Sequence, residues 1–204
     1  MKPAFEPKPV VLEGKLVRLE PLALSHAADL FAASQMPEIW KWMPIAMFAS
    51  VAEVEAWIKA ALAGQAGGTD IPFATVQRSD GRAVGSTRYL DIRPPHRALE
   101  IGWTWLTRSV QRTGINTEAK YLMLRHAFEQ HGARRVQLKT DELNQQSRRA
   151  IMRLGAFFEG ILRNYQTRSH DGYVRNTAMF SITDTEWPGV KARLEAMLER
   201  PSAD

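Results

Sequence analysis

The sequence contains no cysteine. Disulfides, thiolate metal sites and a cysteine nucleophile are excluded, and a chain without thiols fits a reducing cytoplasm. No stretch approaches the roughly 18 consecutive apolar residues of a membrane-spanning helix. The Pro-rich opening Met1–Val10 lacks the apolar centre of a signal peptide. A cytoplasmic protein with no membrane partner is therefore expected. Histidine is also scarce, and the nearest pair, His126 and His131, misses the i,i+4 spacing that places two ligands on one helix face. No metal is expected. There is no repeat of solenoid length and no low-complexity block. Neither G-x-G-x-x-G nor a Walker loop occurs.

What is present is an ordinary globular composition. The chain has 204 residues, 45% hydrophobic and 24% charged, enough to bury a real core without cross-links. One domain over 1–204 is expected, with an extended arm at 1–10 and a C-terminal helix and tail at 185–204. The formal charge is +5. The basic residues are dispersed, so a solvated basic surface and a polyanionic ligand both fit. A nucleic-acid-binding module is the weaker alternative, because no binding motif accompanies the charge.

Hydrophobic spacing gives the order of elements. Val11–Leu19 reads as short strands around a Glu-Gly turn. Ser25 is read as the N-cap of a helix over 26–34, and Ser50 with Glu53 has capping-box spacing ahead of a helix over 51–63. Strands follow at 73–76 and 83–90, and then at 99–105, where Leu99, Ile101, Trp103 and Trp105 alternate with polar or small residues. A long, mostly apolar helix is expected over Thr117–Gln130, stopped by Gly132. A strand at Val136–Leu138 leads to a helix from Asn144 to Gly155. A hairpin, Phe157–Gln166 with Tyr173–Ile182, and a last helix over 186–198 complete the chain. This predicts a mixed α/β domain with helices packed on a central sheet.

The most informative stretch is strand, then Gln111-Arg112-Thr113-Gly114-Ile115-Asn116, then helix. Amides converging at a helix N-terminus form an anion site that suits a diphosphate, and Arg108 and Arg112 add charge. A tight turn served by Gly114 explains the same residues equally well. The flanks extend the pattern. Gln111-x-x-Gly114-x-Asn116 followed by Thr117-Glu118-Ala119, then Asn144-x-x-Ser147, Leu154-Gly155-Ala156-Phe157 and Glu159-Gly160-Ile161-Leu162-Arg163, resemble the GNAT superfamily of N-acetyltransferases, in particular its RimJ/RimL-like branch. The resemblance covers residues 12–183 in order of elements. Two positions depart from the family pattern: Asn116 stands where a Gly or Ala is usual, and Ile151 where many members carry a Tyr.

The resemblance implies a mostly antiparallel central sheet of about six or seven strands, flanked by helices on both faces. It implies acetyl-CoA as cosubstrate and an amine-bearing acceptor, either a protein N-terminus or a small molecule, attacking directly in a ternary complex. By the same resemblance, the backbone at Trp105 and Leu106 would pair with the pantetheine arm. Gln111, Arg112, Thr113, Gly114, Ile115, Asn116 and Thr117 would hold the pyrophosphate. Asn144 would bond the cofactor, and Trp40 and Trp42 would border the acceptor. Arg148, Arg149 and Arg153 begin near the expected cofactor entrance, where a solvated face and a contact with the 3′-phosphate both fit. Glu100 is the candidate base and Ser147 the group beside the thioester. With Ile151 in the Tyr position, a non-catalytic CoA-binding scaffold remains an alternative. The last helix is compatible with a homodimer.

Overall fold

A computed structural model describes residues 5–199. The start of the expected N-terminal arm and the C-terminal tail lie outside them. Eight strands form one sheet: β1 (Leu12–Glu13), β2 (Val17–Pro21), β3 (Ile71–Gln77), β4 (Ala83–Arg93), β5 (Ala98–Leu106), β6 (Arg135–Asp141), β7 (Phe157–Thr167) and β8 (Val174–Thr183). Their order is β1-β2-β3-β4-β5-β6-β8-β7. The expectation of six or seven strands falls short because β1 is only two residues long. Among the described residues, only β5 and β6 run parallel.

The helices are α1 (Ala27–Ser34), α2 (Pro37–Trp40), α3 (Val51–Ala66), α4 (Gly114–Arg125), α5 (Gln145–Leu154) and α6 (Trp187–Glu199). They cover both faces. One core lies between the sheet and α4 and α6, with Leu99, Ile101, Met123, Phe180 and Leu194 at its centre. A second lies on the opposite face under α1 and α3, with Leu30, Trp40, Val54, Ile58 and Trp105.

Local chemistry accounts for the helix ends. Ser50 accepts the Glu53 amide at 3.2 Å and Glu53 returns to the Ala49 amide at 2.9 Å, so the box closes one residue earlier than the standard pattern. Asn144 caps α5 through the Ser147 amide at 3.0 Å, and Gly155 ends it in the left-handed region, φ 105°. Ser25 is not a cap. A single tight turn at Leu24–His26 precedes α1, and the His26 ring takes the Ala23 amide at 3.1 Å instead.

The expected alternation along β5 breaks at Trp103, which adopts φ 50°. The register slips there, Arg88 pairing with Gly102 but Ser86 with Trp105. The bulge turns the strand over. Leu99 and Ile101 therefore belong to one core and Trp105 to the other.

Candidate active site

The loop after β5 leads into α4, which starts at Gly114, three residues before the expected Thr117. Thr113 is the N-cap, accepting the Ile115 amide at 3.3 Å while its hydroxyl donates to Val110 O at 2.7 Å. Asn116 lies inside the helix and caps nothing; its Oδ1 is buried without a partner. The left-handed residue of the loop is Arg112, φ 63°, not Gly114. At Gly114 a Cβ would stand 2.6 Å from Leu16 Cδ1, the tip of an exposed side chain that can turn aside, so glycine gives Leu16 room without being indispensable. Among the described residues, nothing accepts from the amides of Arg112, Thr113 and Gly114. Arg108 and Arg112 are exposed beside them. Unclaimed donors, a helix N-terminus and two cations suit a pyrophosphate.

Glu118, one turn into α4, fixes this helix end to the N-terminal strands. Its Oε1 accepts from the Lys15 amide at 2.8 Å, and its Oε2 from Leu16 and Val17 at 2.7 and 2.8 Å. Gln111 spans the other side of the loop, its Nε2 donating to Leu106 O at 2.9 Å.

Next to the loop the sheet splays. β5 and β6 pair only at Ala98–Arg135, Leu99–Val136 and Glu100–Gln137, although β5 runs on to Leu106 and β6 to Asp141. Between 101 and 106, β5 therefore has a backbone edge on this side with no strand against it. Trp105 and Leu106 lie on that edge. A pantetheine arm with two amide groups matches such an edge as a short strand would. Ser147 is half-buried near the start of α5, whereas Arg149 is exposed. The α5 residue bonded to α4 is Arg153, which donates to Thr117 Oγ1 at 3.0 Å. The Thr117 hydroxyl accepts that bond and keeps its own O–H to donate.

Glu100 stands where the strands part. It is 1% exposed, so it is not the solvated strand carboxylate that alternation alone would give. Lys139 pairs with it at 3.0 Å and Gln137 Nε2 donates to it at 3.2 Å. Gln137 is itself held by Arg93 at 3.0 Å and Asp91 at 2.9 Å. On the same sheet face lie Asp141, paired across from Thr177, and Arg175, two residues before Thr177.

Over this face, the loop between β7 and β8 reaches the segment after α2. Arg168 donates to Lys41 O at 2.6 Å, and His170 lies 3.4 Å from Pro44 O. Arg168 is clamped in turn by Asp171 at 2.6 Å. The contact forms a crossbar between two distant parts of the chain. Trp42 beside it is half-buried under Lys41, whose ammonium lies 5.0 Å from its ring. Trp40 is a core residue, edge-on to Phe48 and tilted against Trp105, with its indole N–H on Ser34 O at 2.8 Å. Its ring supports the segment and does not line its surface.

Sequence reasoning missed three buried cations. Lys120 on α4 is 4% exposed and donates to Thr87 and Thr104. Burial lowers its pKa to about 7. Arg88 faces Asp70 at 3.8 Å and lies 4.6 Å from the Trp103 ring; desolvation lowers its pKa, which Asp70 opposes. Arg175 is the third. Lys120 interrupts an apolar helix, and Arg175 stands in the strand phase opposite the core residues Ala178, Phe180 and Ile182, so the sequence pattern gives no sign of their burial. Among the described residues, no group of three or more His, Cys, Asp or Glu could hold a metal. No helix among them is long and apolar enough to cross a membrane.

The sequence model of the acetyltransferase (GNAT) domain matches residues 17–156. Among solved structures, the chain is similar to a GCN5-related N-acetyltransferase from Brucella melitensis, with 32% identity and a TM-score of 0.92, over 100% of this chain and 92% of that one. It is similar in fold to Mycobacterium smegmatis RimJ in complex with CoA-disulfide, at 24% identity and a TM-score of 0.78, over 97% of each chain. No curated protein matches the sequence. The domain match spans more than half of the chain and agrees with the splayed sheet and the donor-rich loop: the chain belongs to the GNAT acetyltransferase family.

Proposed function

We propose that the protein moves an acetyl group from acetyl-CoA to a primary amine by direct attack in a ternary complex. The observation that carries this reading is the juxtaposition of three unclaimed amides at the start of α4 with the open edge of β5. Together they offer one continuous site for a pyrophosphate and a pantetheine amide chain. Gln111 through Thr117 with the flanking arginines hold the anionic end, and Trp105 and Leu106 the arm. When bound, acetyl-CoA supplies an acyl carbon activated as a thioester.

The remaining work belongs to the chain. An acceptor passing under the Lys41–Arg168 crossbar meets Glu100 at the floor of the splay. Glu100 takes a proton from the acceptor ammonium, freeing the lone pair that forms the new N–C bond. The C–S bond breaks as that bond forms, and the Ser147 hydroxyl donates to the leaving sulfur. With no cysteine, no acyl-cysteine intermediate is involved. Asn144 is committed to its helix cap through Oδ1, leaving its amide NH2 for the cofactor. Similarity in fold to RimJ over nearly the whole chain supports placement in the RimJ/RimL-like branch. A cytoplasmic setting completes the reading.

The test is a thermal-shift titration. Acetyl-CoA binding only the native state raises the melting temperature in proportion to the logarithm of its concentration above Kd. Arg112→Glu, which reverses an exposed loop charge, should weaken the shift. No shift at millimolar acetyl-CoA overturns the reading. The buried Ile151 favours one rival, a CoA-binding scaffold without turnover. A thermal shift without thiol release across a broad amine panel would identify that case.

A further inference from the structure

Among the described residues, Arg175 is a buried cation without a partner. The residue is 7% exposed, yet its guanidinium makes no hydrogen bond and no ion pair. Both Nε and Nη2 are buried and unsatisfied. These two nitrogens form one edge of the guanidinium plane, the edge whose parallel N–H bonds match the two oxygens of a carboxylate. On the same face of β8, two residues along, the Thr177 hydroxyl is also buried and unpartnered. Leaving such donors unpaired costs stability, and an aliphatic residue would avoid the cost.

The groups around Arg175 do not use it. Desolvation lowers its pKa, opposed by the charges of Asp141 and Glu100 and, more weakly, by Tyr165 and Tyr173. Glu100 is taken by Lys139 and Gln137, and Asp141 accepts the Leu143 amide at 2.9 Å. The two cations, Lys139 and Arg175, balance the two carboxylates. An acceptor bearing only an ammonium group would add an uncompensated positive charge to this half-enclosed face. An acceptor bearing an ammonium and a carboxylate would add none.

We infer that the Nε/Nη2 edge of Arg175, with the Thr177 hydroxyl, binds a carboxylate of the acceptor, so that the substrate is an amine carrying a nearby carboxylate. This rests on the acetyl-transfer reading for the amine but not for the anion. The carboxylate can belong to a free amino acid or to an acidic side chain at a peptide N-terminus; the chemistry read by Arg175 is the same.

The test uses matched acceptors and the full chain. Thiol release is measured with free amino acids against their carboxamides, and with peptides beginning in Asp or Glu against those beginning in Asn or Gln. Carboxylates should be preferred by about 10- to 100-fold in kcat/KM, the usual worth of a charge-assisted bidentate contact. The loss should fall on KM. Arg175→Met should erase the preference while melting no lower than the parent, and Arg175→Lys should restore part of it. Whichever pair shows the preference identifies the source. A second readout needs no turnover. The Arg175 Nε–H resonance, assigned by its loss in Arg175→Lys, should move saturably with acetate and not with acetamide. Equal use of acid and amide, or no response to acetate, overturns the inference. A response to acetate with no thiol release from any acceptor leaves the anion site standing and overturns the transfer reading.

Discussion

Lys120 Nζ lies 2.6 Å from Thr104 Oγ1 and 2.9 Å from Thr87 Oγ1, and among the described residues no carboxylate pairs with it. Two hydroxyls stand in for the counter-ion. Desolvation lowers the Lys120 pKa from 10.5 to about 7. The sign of the linkage follows. Between about 7 and 10.5 the unfolded chain holds a proton that the folded chain has released, so stability rises with pH across that window. Below about 7 the full penalty is present. Lys120→Met should therefore be more stable than the parent by a few kcal/mol at pH ~6, the gap narrowing by up to about 1.4 kcal/mol per pH unit above neutrality. Urea melts of both proteins over that range decide it. A difference independent of pH would show that Lys120 titrates normally.

Glu118 should be the most sensitive link between α4 and the N-terminal strands. Three backbone amides converge on its two oxygens, and a glutamine offers only one acceptor oxygen. Glu118→Gln should destabilise the fold by about 2–4 kcal/mol, the loss of charge-assisted bonds plus an orphaned amide. Gly14→Ala should act in the same direction, since its Cβ would collide with the Glu118 carboxylate, which three amides hold in place. Denaturant titration measures both; variants as stable as the parent would show that the turn can move away.

Replacing Glu100 by glutamine keeps the shape at the splay and removes the proton acceptor. It also leaves Lys139 unpaired. Turnover in the thiol-release assay should fall by about 100-fold or more, with the acetyl-CoA thermal shift retained. Retained turnover would move the base elsewhere in the cleft.

Arg168→Ala cuts the crossbar to Lys41 O and the clamp from Asp171. Acceptor KM should rise several-fold, because the entrance loses its fixed width, while the affinity for acetyl-CoA stays the same. Isothermal titration with acetyl-CoA beside steady-state kinetics separates the two effects. Weakened cofactor binding would show that the crossbar supports the sheet and not the acceptor path.

Much of this architecture was legible because its signals are local. Asn144 and Gly155 mark both ends of α5, and Ser50 with Glu53 marks the start of α3, through bonds made within a few residues. What escaped depends on distant partners. Trp105 changes faces because of a bulge whose register is set by Arg88 and Ser86 on the next strand. Glu118 and Lys120 are charged residues in a mostly apolar helix, and their burial against the Lys15–Val17 backbone and two threonines depends on strands far away in the chain. Arg175 is out of phase with the core residues of its strand, and its burial comes from elements outside the hairpin. The loop at 111–116 was visible as a motif, but not that its left-handed turn is at Arg112 or that Gly114 makes room for Leu16.

The parting of β5 and β6 after Glu100 leaves two backbone edges without a neighbouring strand. Backbone edges without a neighbour are the places where chains are nicked and where they stick to one another. A ligand that completes those edges would act as a missing strand, so acetyl-CoA would protect the protein as well as feed the reaction. The abundance of the enzyme would then follow the metabolic state that supplies its donor: protease digestion should slow when acetyl-CoA is added, and an unchanged rate would break that connection.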